Sequence, residues 1–155
     1  AAFIWNAQIS ILDYSPFHIR KWMDLLFGED WLKGAQSWRQ RARVLLADTD
    51  IVHDLRTLPL PENFLYLQND TDWHVAAQMR PYVTAHKMCE VEEGVYQGTP
   101  RQVAALKHFG DGHARLPHEL VVSAVREMTN KNAASQEVYE KLFSPFPTLK
   151  KGTET

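Results

Sequence analysis

With 155 residues, 45% of them hydrophobic, the chain has the length of one domain and enough apolar material for a core without covalent staples. A net charge of −2 excludes the basic excess of a general nucleic-acid binder, and a single cysteine, Cys89, excludes an intrachain disulfide. No run approaches the ~18 apolar residues of a membrane-crossing helix. The opening AAFIWNAQISIL lacks the basic flank and cleavage pattern of a signal peptide, so an intracellular location is the expectation.

Residues 1–14 read as an apolar arm. Ser15-Pro16 is a cap followed by proline at the first helical position, which predicts a helix over 16–27 stopped by Gly28. Asp30 caps the next one. Trp31, Ala35, Trp38, Ala42 and Leu45 recur at helical spacing, an amphipathic stripe running to Ala47. A short helical turn follows in 50–56. The run TLPLPENFLYLQ (57–68) holds two prolines and no helical period, so it reads as an extended crossover with a short strand at 64–67. Asp70 or Thr71 caps a long helical segment to Glu93, kinked at Pro81 and stopped by Gly94. Thr99-Pro100 starts a helix that ends at Phe109 and Gly110. Pro117 opens another, with Leu120, Val121, Ala124, Val125 and Met128 as its stripe. Ser135 begins the last, carrying Val138, Tyr139, Leu142 and Phe143. Residues 144–155 form a loose or docked tail. The sum is an all-α fold, an irregular orthogonal bundle of about six short helices in one domain over 1–155.

Four stretches carry chemistry worth weighing. In HFGDGHARLPHEL (108–120), His108, Asp111, His113 and His118 could converge across a helix–loop–helix, a donor set suited to Zn, Fe or Mn. The spacing is neither HExxH nor CxxC. A calcium loop fails too, because Lys107 and Phe109 stand where acids are needed and His118 falls where the final glutamate belongs. The plainer reading makes Gly110 and Gly112 a helix-joining turn, with His108 favoured at a helix C-terminus by the dipole.

In DTDIVHDL (48–55), the adjacent His53-Asp54 resembles the metal-binding pair of the HD phosphohydrolases, which are all-helical enzymes. The resemblance implies a divalent metal held by His18, His53, Asp54 and Asp111, activating water. It covers those scattered residues alone, and the apolar surroundings of the pair are half present. On a continuous helix His86, Cys89, Glu90 and Glu93 would share one side, yet a single helical face rarely completes a coordination sphere. Finally, WRQRARVLL (38–46) sets Arg39 and Arg43 one turn apart, either toward phosphate or as a solvated face with arginine stems over tryptophan. The helix–turn–helix outline of 99–125 has a turn of about seven residues, longer than the DNA-binding motif allows. There is no GxSxG and no Gly-rich phosphate loop, and the acidic surroundings of Cys89 oppose a thiolate.

The leading expectation is a non-enzymatic helical subunit that binds other proteins within a larger assembly, such as an accessory subunit or a viral connector. Tryptophans crowd the first forty residues, and both ends are rich in apolar groups. The anchors expected at the interface are Phe3, Trp5, Trp22, Trp31 and Phe146. No cofactor is expected. One alternative is an HD-like hydrolase with a divalent metal drawn from His53, Asp54, His108, Asp111, His113 and His118. The other is a nucleic-acid-binding helical module.

Overall fold

Phe64 to Asn69 are six consecutive residues with every side chain buried, a pattern produced by a strand covered on both faces. This strand organises the molecule. The computed structural model describes residues 1–5, 16–46, 55–71, 73–111 and 117–148. In chain order its elements are β1 (Ala2–Trp5), α1 (Pro16–Phe27), α2 (Trp38–Leu45), β2 (Phe64–Asn69), α3 (Trp73–Ala85), β3 (Cys89–Glu92), β4 (Val95–Gln97), β5 (Gln102–Lys107), α4 (His118–Asn130) and α5 (Ser135–Leu142). The strands form one sheet in the order β1-β2-β5-β4-β3. β1, β2 and β5 are parallel, while β4 and β3 run antiparallel to their neighbours.

Alternation along β2 sends its residues into two cores. Leu65 and Leu67 join Val95, Val103 and Ala105 under α4 and α5, with Ala124, Met128, Val138, Tyr139 and Phe143. Phe64 and Tyr66 join Ala104 on the other face, against Met79, Tyr82 and Val83 of α3. The result is three layers, helix on sheet on helix. Between β1 and β2 the chain makes a helical excursion with its own small core of Ile19, Met23, Trp31, Ala42 and Leu46. Within it, Trp31 Nε1 donates to Asp24 Oδ1 at 2.7 Å.

The all-α expectation is therefore wrong, and the errors have identifiable causes. Residues 102–107, QVAALK, are good helix formers, but they pair with β2 along their whole length and form a strand. Tertiary pairing overrides propensity here. The long helix expected over 70–93 ends at Ala85, and Lys87 turns the chain at φ 56° into β3. Pro81 sits inside α3 without ending it. Gly94 is not a helix stop but the second residue of the tight turn joining β3 to β4, at φ 74°. Of the apolar arm, Ala2–Trp5 forms strand β1. The Trp31 region is split, with a 3-10 turn at Glu29–Leu32 preceding α2. Helices were expected near the positions of α1, α2, α4 and α5, and all four are present. Of the tail, residues 144–148 are docked, Thr148 Oγ1 donating to the Leu106 carbonyl at 2.9 Å.

Candidate functional site at the carboxyl edge of the parallel strands

In an open α/β sheet the carboxyl ends of parallel strands are where loops diverge and where reactive side chains collect. β2 and β5 are adjacent and parallel, and they end level, with Asn69 opposite Lys107. The next residue on each carries a titratable side chain. Asp70 follows β2, His108 follows β5, and His108 Nδ1 lies 3.0 Å from Asp70 Oδ1. The Asp70 side chain is 8% exposed and that of His108 is 22% exposed, so the carboxylate sits beneath a partly open imidazole. The ladder itself delivers them to this position, because Asp70 N–H donates to the Lys107 carbonyl at 3.0 Å.

The loop after β5 is held from both sides. Asn69 Nδ2 and Thr71 Oγ1 each donate to the Gly110 carbonyl at 3.1 Å. Asn69 Oδ1 accepts from Phe109 N–H at 3.3 Å. His108 N–H donates to the Pro147 carbonyl at 2.7 Å. The Phe109 ring packs against Phe146 at 4.8 Å and Phe143 at 6.3 Å. Both the backbone and the ring direction of His108 are thus fixed by neighbours. A carboxylate at Nδ1 selects the tautomer that carries its proton there, which leaves Nε2 as the basic nitrogen.

The alternative reading of the sequence puts His108 in a metal cluster, and the plainer one puts it in a helix-joining turn. In the structure His108 faces Asp70, Asp111 is exposed on the following loop, and His118 is exposed at the start of α4. His53, Asp54 and His113 lie outside the described residues, as does the side chain of His18. Among the described residues no group of three or more His, Cys, Asp or Glu is arranged to hold a metal. The same-side grouping of His86, Cys89, Glu90 and Glu93 dissolves, because helix α3 ends before Cys89 and the last three lie on or beside β3. In the sequence Asp70 reads only as a helix cap. The available signal was that two apolar runs, FLYLQN and QVAALK, are each followed at once by a titratable residue, Asp70 and His108.

The expected interface residues have different fates. Phe3 and Phe146 are partly buried against the α4–α5 core, and Trp31 is 3% exposed. Trp5 lies in β1. Trp22 is 42% exposed and belongs to an uncovered run on α1 that continues with Leu25, Leu26 and Phe27.

On the α5 face of the sheet a second concavity of about 230 Å³ is lined by Glu92, Gln97, Gln136 and Tyr139 among others. Its polar groups are bound to one another. Tyr139 Oη donates to Glu92 Oε1 at 2.7 Å, and the buried Lys107 Nζ lies 3.6 Å from the same carboxylate. Gln97 Nε2 donates to Gln136 Oε1 at 3.0 Å. Burial, and secondarily the bond to Glu92, pushes the Tyr139 phenol well above its ordinary range. This concavity is open to solvent, with Glu92 exposed, and its polar side chains are bonded to one another.

No protein-family model matches the chain, and no curated protein or solved structure matches it either.

Proposed function

We propose that the carboxyl edge of β2 and β5 is a hydrolytic acid–base site in which Asp70 orients His108 as the general base. The observation that carries this reading is the 3.0 Å contact between His108 Nδ1 and a nearly buried Asp70 carboxylate at the ends of adjacent parallel strands. With its Nδ1 proton donated to Asp70, the imidazole takes a proton from water at Nε2 as the water oxygen attacks an ester-type carbonyl. The imidazolium so formed is stabilised by the carboxylate and returns its proton to the leaving oxygen. The clamp from Asn69 and Thr71 to Gly110 supports the reading, since a base is effective only where its orientation is held.

The test is hydrolysis of a panel of acyl esters by the chain, by His108→Gln and by Asp70→Asn. His108→Gln should lower kcat by roughly a hundredfold or more, the usual worth of a positioned base, with little change in KM. Asp70→Asn should lower kcat similarly while the fold, read by circular dichroism, is kept. A folded parent chain with no ester turnover, or a His108→Gln variant as active as the parent, would refute the assignment.

A second reading rests on a separate observation: Leu25 is 77% exposed and Leu26 62% exposed on α1. Exposed leucines beside Trp22 and Phe27 make an apolar patch of the kind that binds another protein. On this reading the helical excursion docks a protein partner within a larger assembly. Leu25→Asp with Leu26→Asp should abolish co-purification of that partner from the native source and leave the fold unchanged. Retention of the partner would refute it.

A further inference from the structure

Asp70 and His108 are held from opposite sides of β5, by different parts of the chain. Asp70 is fixed on the β2 side, where its N–H donates to the Lys107 carbonyl at 3.0 Å. His108 turns its own N–H the other way, because successive strand residues present their backbone groups to alternate sides. Leu106 shows that direction, its N–H donating to the Gly94 carbonyl at 2.7 Å. β4 begins at Val95, opposite Ala105, so it does not reach His108. Past Leu106 this side of β5 is covered instead by residues 144–148, which follow α5. His108 N–H donates to the Pro147 carbonyl at 2.7 Å, and Thr148 Oγ1 donates to the Leu106 carbonyl at 2.9 Å. The other end of the segment is tied to α5, Ser144 N–H donating to the Tyr139 carbonyl at 2.9 Å and Phe146 N–H to the Phe143 carbonyl at 3.1 Å. Gly94 leaves room for it, since an added Cβ would stand 3.3 Å from Thr148 Cγ2.

Phe146 seats this segment. Its ring lies 4.8 Å from that of Phe109 and is partly buried on the α4–α5 core, while the prolines on either side of it are exposed. Phe109 is the residue next to His108, so the ring contact and the Pro147 hydrogen bond act on one short piece of backbone. We propose that Phe146 is a positioning residue for His108. Seated, it holds the imidazole against a carboxylate that the β2 side holds independently. Unseated, it takes the Pro147 carbonyl away from His108 N–H, and the imidazole leaves Nδ1 contact while Asp70 stays in place. The effect on turnover rests on reading the pair as an acid–base site, whereas the effect on the ring does not.

Nitrogen NMR of the His108 ring, with the imidazole neutral, tests this together with amide hydrogen exchange and ester turnover. A free histidine carries its proton mainly on Nε2, and a carboxylate at Nδ1 reverses that preference. The parent should show the Nδ1–H form and a protected His108 amide. Phe146→Ala should return the ring toward the Nε2–H form and speed exchange of that amide about tenfold, as expected for a lost hydrogen bond. It should lower kcat roughly ten- to hundredfold with little change in KM. Phe146→Tyr keeps the aromatic contact and should restore all three. Asn63→Leu removes side-chain bonds to Ala133 and Ser135 at the opposite end of β2, and should leave the His108 ring and amide as in the parent. A parent ring with its proton on Nε2 would overturn the proposal. So would a Phe146→Ala chain that keeps the parent's tautomer, amide protection or kcat, or an Asn63→Leu chain that shifts ring and amide equally. If the parent turns over no ester, the hydrolytic reading falls and the ring and amide still decide this one. If Phe146→Ala fails to fold, Thr148→Val, which removes the bond to Leu106, decides in its place, and a parent-like ring and amide overturn the proposal.

Discussion

Asn63, the residue before β2, is 3% exposed and holds the start of α5 to the sheet with both ends of its amide. Its Nδ2 donates to the Ala133 carbonyl at 2.8 Å, and its Oδ1 accepts from Ser135 N–H at 3.1 Å. That N–H belongs to the first turn of α5 and has no partner within the helix. Asn63→Leu keeps the number and branching of the side-chain heavy atoms and strands both backbone groups. At about 1–3 kcal/mol for each buried group left unpaired, the cost is about 2–6 kcal/mol. Asn63→Asp is the sharper perturbation. Ionised, the introduced carboxylate still accepts from Ser135 N–H but presents a second oxygen to the Ala133 carbonyl. Protonated, it can donate there and reproduces the native pattern. Burial and that carbonyl raise the carboxyl pKa in the folded state above its unfolded value of about 3.9. The protonated form's stability is therefore fully present below the unfolded value and is lost as pH rises through the folded one, at about 1.4 kcal/mol per unit of upshift. Urea denaturation of parent and variant, measured in parallel from about pH 3 to neutral pH, reads the difference directly. The variant should approach the parent in acid and fall behind it by about 2–4 kcal/mol at neutrality. A difference that does not change with pH, or an Asn63→Leu variant as stable as the parent, would refute the two-ended clamp.

Beside that clamp, the buried Ser135 hydroxyl has no hydrogen-bond partner among the described residues, so Ser135→Ala should be neutral or stabilise by up to about 1 kcal/mol in the same urea assay. Gly94 sits at φ 74°, where an added Cβ would lie 3.1 Å from the Leu106 carbonyl oxygen and 3.3 Å from Thr148 Cγ2. Gly94→Ala should therefore cost about 1–2 kcal/mol by thermal or urea melts. Gly28→Ala, at φ 80° with open space around its Cβ, should cost less. Burial pushes the Tyr82 phenol up to about 12. A raised pKa contributes stability that is present below the ordinary phenol value of about 10 and is lost as pH climbs toward the folded one. Tyr82→Phe should therefore flatten the fall of melting temperature between those two pH values.

Local signals in the sequence were enough for the helices whose partners are close by. Ser15-Pro16 marks the start of α1, Pro117 precedes α4, and the spacing of Ala124 and Met128, or of Val138 and Tyr139, defines the face each helix buries. These features depend on the chain a turn or two away. The sheet depends on residues far apart. QVAALK is helical by propensity and becomes β5 because β2, over thirty residues earlier, offers it a full ladder in a covered core. Ala2–Trp5 is a strand because Phe64–Leu67 lies beside it. Parallel pairing leaves no local signature, since a strand buried on both faces loses the alternation that identifies strands at a solvent boundary. The candidate site was hidden for the same reason. His108 stood out in the sequence for its nearness to Asp111 and His113, but its partner is Asp70, thirty-eight residues earlier and brought within 3.0 Å by the level ends of β2 and β5. Composition and local periodicity determined which segments could be helices and that a core was affordable. Which segments were strands, and which carboxylate met which imidazole, was decided by long-range hydrogen bonding that forms only when the sheet assembles.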